Sequence, residues 1–317
     1  MKALIERRRL AVEPPLQTAG GTLDERELFL LRLEDGDGNI GWGEAAPLEP
    51  YDGVSARECL DALERQAEAL EACPPGASGP QALEAARQGS ELPQALAAVD
   101  LALWDMAGRR EGRPVLELLT DRRPRQVEVN AVVGAGEPAA CAARALEAVE
   151  AGFGCVKVKV GDPDGIERVR AVREAIGDGP AIRVDANGAW SVPEAVRELN
   201  AMAVEGVELA EEPVHGVEAL RALRGRVSVP VAADETASEP GVLGSDVADA
   251  ICLKVSAAGG ISGLLAQAEL ARSGGTLVYV ASTLDRFPHL DPGVLAPEGG
   301  AVAVPTGPGL GVEPPPA

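Results

Sequence analysis

Aromatic residues are scarce in this 317-residue chain. It contains three phenylalanines, three tryptophans and two tyrosines, so its core must be built mainly from Ala, Val and Leu. No apolar run approaches the roughly 20 residues that a membrane-spanning helix needs. The N-terminal stretch MKALIERRRLAVEP lacks the apolar centre of a secretory signal. We therefore expect a cytoplasmic protein that does not enter a membrane.

Cysteine and histidine are also few, and their placement excludes two common kinds of site. The five cysteines are scattered without CxxC spacing, which argues against a disulfide framework or a structural zinc. The two histidines, His215 and His289, leave little for a histidine-based zinc site. The net charge of −21 repels phosphate backbones and anionic lipids, so nucleic acid is a poor candidate partner.

Lysine is the rarest charged residue, and its distribution is informative. The chain has 25 arginines but only four lysines: Lys2, Lys157, Lys159 and Lys254. Lysine, unlike arginine, can lose its proton near neutral pH when it is suitably placed. Two of the four lie in CVKVKVG (155–161), where strand periodicity puts Lys157 and Lys159 on the same face. A valine-rich strand with two ammonium groups on one face calls for a chemical reason.

The first part of the chain predicts an antiparallel sheet followed by helices. RELFLLRLE (26–34) and NIGWGEA (39–45) flank DGDG, a strong hairpin signal. Apolar residues then recur at helical spacing in segments 54–72 and 92–110, with the loop CPPGASGP (73–80) between them. We assign residues 1–120 to an N-terminal α+β capping domain.

From about residue 126 the pattern changes to Val-rich runs that alternate with amphipathic stretches. This alternation indicates β/α units and a parallel sheet. Seven units favour a (β/α) barrel, and no GxGxxG loop follows the first strand. We assign residues 121–291 to the barrel and 292–317 to a C-terminal segment that returns to the capping domain. The seven predicted strands are 127–133, 154–161, 181–187, 206–213, 229–235, 250–256 and 276–282.

One segment does not fit this pattern. After the last Val-rich run, the next strand-like piece, RFPHLD (286–291), begins almost at once and leaves no room for a crossover helix. Either the barrel is incomplete there, or residues are absent from the chain between Asp285 and Arg286. We favour the second interpretation.

Ionisable residues occur at the carboxyl ends of five consecutive predicted strands, at successive spacings of 26, 26, 23 and 20 residues. In a β/α barrel these ends face the pocket in which active sites lie. Charged groups are costly to bury without partners, so we expect the five to converge on one cavity. They are Lys159, Asp185, Glu211, Asp234 and Lys254.

Three carboxylates with water and a substrate oxygen form an all-oxygen environment, which suits Mg²⁺ or Mn²⁺ better than zinc. A carboxylate substrate on such a metal has an acidified neighbouring C–H, which a lysine could remove, with the metal stabilising the enediolate. Each lysine would need a lowered pKa, which the metal and neighbouring cations could supply. We expect a small-molecule carboxylate as the substrate.

The motifs VKVKV, VDANGAW, ELAEEPV, AADET and CLKVSAAGG resemble those of the enolase superfamily, in its muconate-lactonizing enzyme subgroup. The resemblance covers nearly the whole chain and implies a modified TIM barrel with an N-terminal cap. It also implies Lys bases and Mg²⁺, as known for that superfamily.

Roles follow from the resemblance at the matching positions. It implies that Lys159 and Lys254 are the acid/base pair. Asp185, Glu211 and Asp234 would bind the metal, with Glu211 rather than Glu212 because the family keeps the first position and varies the second. It further implies that Lys157 orients the substrate carboxylate, and that Asn187 and Glu235 support the metal ligands from outside. The segments 16–25 and about 47–54 correspond to the family's capping loops, which set specificity, and we expect segment 16–25 to close over substrate.

The resemblance leaves the reaction open. Lysines on both faces occur in o-succinylbenzoate synthases, which are lyases, and in isomerases such as dipeptide epimerases and N-acylamino acid racemases. Cycloisomerases share the scaffold. Dipeptide epimerases commonly carry Asp-x-Asp near the last strand, where this chain has Asp291 alone. Our first choice is therefore o-succinylbenzoate synthase-like dehydration, followed by an epimerase or racemase. A metal-binding barrel without turnover is the alternative of another class, and a homo-oligomer is possible.

Overall fold

The computed structural model describes residues 1–18, 21–244, 246–281 and 296–313, without the side chains of 12–18 and 21–23. The N-terminal sheet has three antiparallel strands: β1 (Lys2–Thr18), β2 (Gly21–Glu34) and β3 (Ile40–Ala45). The hairpin predicted at DGDG is confirmed by the pairing of β2 with β3. Segment 16–25 belongs largely to a second hairpin, because Leu16 pairs with Leu23 and Gln17 with Thr22. Its closure over substrate stays a prediction.

Five helices follow the sheet, and the second and fourth of them pack against it. They are α1 (Glu49–Asp52), α2 (Ala56–Glu71), α3 (Gly79–Gly89), α4 (Pro93–Glu111) and α5 (Val115–Leu119). The two long predicted helices are confirmed as α2 and α4. Helix α3 was not predicted because it begins with Gly and Pro, which are weak helix signals; a capping box between Ser78 and Gln81 starts it.

Two glycines let the sheet and helix α4 approach each other closely. A Cβ on Gly41 would lie 2.1 Å from the carbonyl oxygen of Ala102, and one on Gly43 would lie 1.9 Å from that of Ala98. Any side chain at these positions would therefore push α4 off the strand. The contact buries an apolar core that includes Phe29, whose exposed fraction is 0%.

The second part is a seven-stranded parallel sheet in which each strand pairs with the next in the chain. This order, with helices between strands, is that of a β/α barrel, and the predicted fold class is confirmed. The strands are β5 (Ala131–Gly134), β6 (Cys155–Lys159), β7 (Ala181–Asp185), β8 (Val207–Glu211), β9 (Val231–Ala233), β10 (Ala250–Leu253) and β11 (Leu277–Val280).

The helices of this part are α6 (Pro138–Glu150), α7 (Gly165–Ile176), α8 (Val192–Met202), α9 (Val217–Leu223), α10 (Val255–Ala258) and α11 (Ile261–Ser273). The described part of the connection from β9 to β10 contains a 3-10 turn, Glu235–Ser238, rather than an α-helix. Pro240, Gly241 and Gly244 in this connection disfavour a regular helix. Trp190 lies in the barrel core.

The strand predicted at 127–133 is wrong as a single element. It is divided into β4 (Gln126–Glu128) and β5, and β4 pairs antiparallel with β12 (Ala301–Ala303) instead of entering the barrel. The C-terminal segment also contacts the N-terminal part, since the Val115 amide donates to the Gly309 carbonyl at 2.8 Å and the Leu310 amide to Asp105 at 2.8 Å. The boundaries after residues 120 and 291 stay predictions.

Some of the expectations fall on residues that the structure does not describe. The junction between Asp285 and Arg286, together with His289 and Asp291, lies outside the described residues. In the part of the chain that is described, no helix has the length and apolarity needed to cross a bilayer.

Candidate functional site

The five ionisable residues singled out in the sequence lie at the carboxyl ends of neighbouring strands. Lys159, Asp185 and Glu211 are the last residues of β6, β7 and β8, and their backbones are in register. Asp234 and Lys254 directly follow β9 and β10. Because parallel strands end at the same edge of the sheet, all five side chains reach one region.

The two lysines of β6 share the carboxylate of Asp185. Its Oδ2 lies 2.5 Å from Nζ of Lys159 and 2.8 Å from Nζ of Lys157. The Lys157 amine also bonds to Oε1 of Glu211. The two ammonium groups on one strand face are thus explained by buried carboxylates at the ends of the next two strands.

Glu211 and Asp234 form the second half of the cluster. One oxygen of each carboxylate and the Sγ of Cys252 lie within 4.8 Å of one another. The hydroxyl of Tyr279, on β11, donates to Oε2 of Glu211 at 2.7 Å. Burial, with the Asp234 charge adding to it, raises the pKa of the Cys252 thiol, so this sulfur stays protonated and the oxygens are the available ligands.

Lys254 is held by a barrel residue and by a residue from the N-terminal part. Its amine bonds to Oδ1 of Asp234 and to the hydroxyl of Tyr51. Tyr51 also donates to Oδ1 of Asp234 at 2.9 Å. These three groups form a closed triangle of contacts at the end of β10.

Asn187 and Glu235 lie beside the cluster. Oδ1 of Asn187 accepts a hydrogen bond from Lys159 at 2.6 Å, and its Nδ2 donates to Oε1 of Glu235 at 3.0 Å. The other oxygen of Glu235 is buried and has no hydrogen-bond partner among the residues that the structure describes. Asn187 has a φ of 46°, in the left-handed region that Asn tolerates better than most residues.

Glu211 and Glu212 point to different places. Glu211 faces the lysines, whereas Glu212 is fully buried and accepts hydrogen bonds from the Asp234 amide at 2.8 Å and the Thr236 amide at 3.1 Å. The Nδ1 atom of His215 lies 3.0 Å from Oε1 of Glu212. Glu212 therefore holds the backbone at Asp234 in place. His215 contacts Glu212 and not the lysines among the described contacts.

The electrostatics of the cluster reflect burial and an excess of negative charge. Burial raises the pKa of Glu211, and the charges of Asp185 and Asp234 add to this rise while Lys157 opposes it. Burial lowers the pKa of the Lys157 and Lys254 amines, but neighbouring carboxylates outweigh it, and both pKa values stand above the ordinary lysine value. Pairing with Asp234 contributes to the raised pKa of the Lys254 amine, and the lowering that a bound cation would cause stays a prediction.

The donor set fits a hard divalent cation. Among the described residues, four carboxylates share the site with three lysines, and all four belong to residues that are buried or partly buried. The Glu235 oxygen that lacks a partner in the described part of the chain is a further sign that the site favours positive charge. Carboxylate oxygens are the ligands that Mg²⁺ and Mn²⁺ prefer. The four are Asp185, Glu211, Asp234 and Glu235.

The sequence analysis missed three side chains that the structure places at the site. Tyr51 and Tyr279 are the only tyrosines in the chain, and each hydroxyl contacts a carboxylate of the cluster. Their rarity was the available signal. The third, Arg168, is buried on α7 and donates to the carbonyl of Lys159 at 2.6 Å. Nothing distinguishes it in sequence from the other arginines.

Lysines and buried carboxylates together at the strand ends of a β/α barrel are typical of barrel enzymes. Similarity to known proteins shows to which enzyme family the chain belongs. Residues 2–120 match the mandelate racemase/muconate lactonizing enzyme N-terminal domain, and residues 140–285 match the enolase C-terminal domain-like family. The L-Ala-D/L-Glu epimerase of Bacillus subtilis is 30% identical over 295 residues, covering 89% of this chain and 80% of that protein. The chain belongs to the mandelate racemase/muconate lactonizing enzyme family of the enolase superfamily.

Other relatives differ in reaction and coverage. The o-succinylbenzoate synthase of Mycolicibacterium smegmatis is 39% identical over 196 residues, or 58% of this chain and 57% of that protein. The hydrophobic dipeptide epimerase of Enterococcus faecalis is 30% identical over 72% of this chain and 65% of its own length. The chain thus spans about two thirds or less of these two relatives.

Two solved structures share the fold. A substrate-liganded complex of the Bacillus subtilis epimerase has a TM-score of 0.88 at 27% identity and covers both chains completely. The dipeptide epimerase from Enterococcus faecalis, complexed with Mg and the dipeptide L-Leu-L-Tyr, has a TM-score of 0.88 at 24% identity, over 98% of this chain and 99% of that one.

Proposed function

We propose that this protein removes the proton α to the carboxylate of a small molecule, with Lys159 and Lys254 as the two acid/base groups and a divalent cation as cofactor. The observation that carries the proposal is the meeting of both amines with three buried carboxylates at one edge of the sheet. A cluster built only for stability would be poorly served by so many buried charges, since their desolvation offsets much of their attraction.

Asp185, Glu211 and Asp234 would hold the cation, which we take to be Mg²⁺, with Mn²⁺ as a possible substitute. The Enterococcus relative with bound Mg supports this choice, as does the all-oxygen donor set. When bound, the cation supplies positive charge for the substrate carboxylate as the α proton leaves.

The lysines do the proton transfer in this proposal. One neutral amine takes the α proton and becomes an ammonium group, which leaves a carbanionic charge spread onto the substrate carboxylate. In an epimerisation the second lysine, as an ammonium group, returns a proton to the opposite face. In a dehydration the ammonium group so formed gives its proton to the hydroxyl on the neighbouring carbon, which leaves as water as the carbon–carbon double bond forms, and the amine is neutral again. Lys159 ends β6 and Lys254 directly follows β10, with three strands between β6 and β10, so the two amines can serve the two faces of a substrate.

Three further residues would prepare the site. Lys157 would orient the substrate carboxylate and tune Lys159, because both amines contact the same oxygen of Asp185. Asn187 would hold the Lys159 amine, and Glu235 would hold Asn187.

Our first choice of reaction is dehydration of the o-succinylbenzoate synthase kind. The Mycolicibacterium synthase, 39% identical over 58% of this chain, supports it. Epimerisation or racemisation of a dipeptide or N-acylamino acid is the second candidate, because the Bacillus match covers far more of this chain. Asp291, which bears on this choice, lies outside the described residues.

The test is α-proton exchange in deuterated buffer with Mg²⁺. The panel contains the substrate of o-succinylbenzoate synthases, dipeptides and N-succinylamino acids, and mass spectrometry reports both deuterium uptake and product. Lys159→Ala and Lys254→Ala should each slow turnover about 100-fold or more. Lys2→Ala is the matched control, since the Lys2 side chain is 83% exposed.

Each result has a defined meaning. Turnover that persists in a site-lysine variant would remove that lysine from the acid/base pair. Conversion of dipeptides alone would overturn the dehydration choice. Mg²⁺ binding without exchange on any substrate would favour the non-catalytic alternative.

A further inference from the structure

Tyr51 connects the N-terminal part of the chain to the lysine-carboxylate site. It lies in helix α1, and 203 residues separate it from Lys254 in sequence. Its hydroxyl accepts a hydrogen bond from the Lys254 amine and donates one to Asp234. The same amine lies 4.3 Å from the centroid of the tyrosine ring. A side chain from outside the barrel therefore contacts both a proposed proton-transfer group and a proposed ligand.

The short segment that carries Tyr51 is itself fixed. The carboxylate of Asp52 accepts hydrogen bonds from the Leu48 amide at 3.1 Å and the Val54 amide at 2.9 Å, which closes the turn around α1. The amide of Gln94, a buried residue on α4, donates to the same carboxylate at 3.1 Å. Tyr51 is therefore anchored to the main helix of the N-terminal part.

The two site lysines are held in different ways. Among the described residues, the hydrogen-bond partners of Lys159 are Asp185, the last residue of the neighbouring strand β7, and Asn187, which lies just after it. Lys254 instead has one partner from the barrel, Asp234, and one from α1. The position of the Lys159 amine thus depends on the barrel, whereas the position of the Lys254 amine depends on both the barrel and the N-terminal part.

We infer that Tyr51 is a positioning residue that holds the Lys254 amine at the site, so that Lys254 acts only when α1 is in place, whereas Lys159 does not need it. A lysine amine sits on a flexible four-carbon stem and has many conformations to lose. A hydroxyl partner together with an aromatic face selects one of them. The inference rests on the proposed function only for what Lys254 does; the contact itself is independent of it.

The first test measures the amine directly and needs no substrate. The protein, in buffer with Mg²⁺, is acetylated with limiting reagent, and peptide mass spectrometry gives the labelling rate at each of the four lysines, with Lys2 as internal reference. In Tyr51→Phe the ring remains and only the hydroxyl is lost. Lys254 should be labelled about tenfold faster, as expected when a charged group loses a hydrogen bond, and Lys159 should be unchanged.

A matched control is available because the chain has one other tyrosine. Tyr279→Phe removes the hydroxyl on Glu211, so Lys254 labelling should stay at the wild-type rate. Asp52→Ala, which loosens α1 without touching the amine, should also raise Lys254 labelling selectively. This second variant decides the matter if Tyr51→Phe is unstable. Equal rates at Lys254 in wild type and Tyr51→Phe, or an equal rise at Lys159 and Lys254, would overturn the inference.

The second test uses the reaction. Exchange is measured separately on the two α-epimers of a substrate that the wild type exchanges, because each epimer presents its proton to a different lysine. Tyr51→Phe should slow exchange of one epimer about tenfold, the same factor as above, and leave the other nearly unchanged. Equal slowing of both would assign Tyr51 to the metal site or the fold. A wild type that exchanges nothing contradicts the proposed function, and the labelling result still decides the role of Tyr51.

Discussion

The guanidinium of Arg168 donates a hydrogen bond of 2.6 Å to the backbone carbonyl of Lys159. The same buried side chain donates to the Gly136 carbonyl at 2.9 Å and to the carboxylate of Asp162 at 3.0 Å. It therefore ties the end of β6 to the two loops beside it. The position of the Lys159 backbone thus depends on a charged residue whose side chain is buried beneath it.

We predict that Arg168→Met destabilises the fold by about 2 to 4 kcal/mol, because it leaves buried carbonyl groups without donors. Urea unfolding followed by circular dichroism measures this loss. Arg170→Met is the control on the same helix, since the Arg170 side chain is 54% exposed and should change stability by less than about 0.5 kcal/mol. Similar losses in both variants would contradict the role given to Arg168.

Gly43 provides a test of the close contact between β3 and α4. Gly43→Ala places a methyl group 1.9 Å from the Ala98 carbonyl oxygen, so the helix must move. We expect a loss of about 2 to 3 kcal/mol in the free energy of unfolding, the upper range for overpacking. Gly36→Ala, where no atom lies within 4 Å of the added carbon, should be close to neutral. Thermal denaturation of the two variants side by side checks the difference.

Two substitutions of Asn187 distinguish the effect of backbone strain from the effect of losing the side-chain amide. Asn187→Gly relieves the left-handed backbone, whereas Asn187→Ala imposes it on a residue that resists it, so the alanine variant should be less stable by about 1 kcal/mol. Both variants lose the contact with the Lys159 amine, and both should lose turnover to a similar extent. Chemical denaturation and exchange assays measure the two effects. A glycine variant with full activity would show that the amide is not needed.

A divalent cation should stabilise the protein. At a Mg²⁺ concentration 100 times the dissociation constant, the free energy of unfolding should rise by about 2.7 kcal/mol, and a chelator should reverse it. Asp234→Asn should abolish most of this rise, while Asp178→Asn, at an exposed position, should retain it. Differential scanning calorimetry with and without Mg²⁺ provides the measurement. Equal stabilisation of both variants would place the cation elsewhere.

The strand ends were predictable because the strand pattern and the spacing of one β/α unit depend on local sequence. Lys159, Asp185 and Glu211 follow this rule and lie in register at the sheet edge. Tyr51 and Arg168 could not be found in the same way. Tyr51 reaches the site through tertiary packing of α1, and Arg168 reaches it because a long side chain folds back under the end of β6. Such contacts have no fixed sequence spacing.

Errors in the predicted elements have physical causes too. The break between β4 and β5 depends on pairing with β12, which lies about 170 residues away in sequence, and pairing at this distance is invisible to local periodicity. The described part of the connection between β9 and β10 has no α-helix, and Pro240 with its neighbouring glycines was the local sequence signal for this. The amphipathic pattern of the other units outweighed that local signal.

The order of the strands determines which site residues would be separated if the chain were cut in two. Gly225 lies in an exposed connection between α9 and β9. A cut there would give one fragment with Lys159 and another with Lys254, and would divide the proposed cation ligands as well. Neither fragment could complete a proton transfer between two faces by itself. Recovery of turnover on mixing would then report reassembly of the barrel from its halves, which makes the protein a natural starting point for a split reporter.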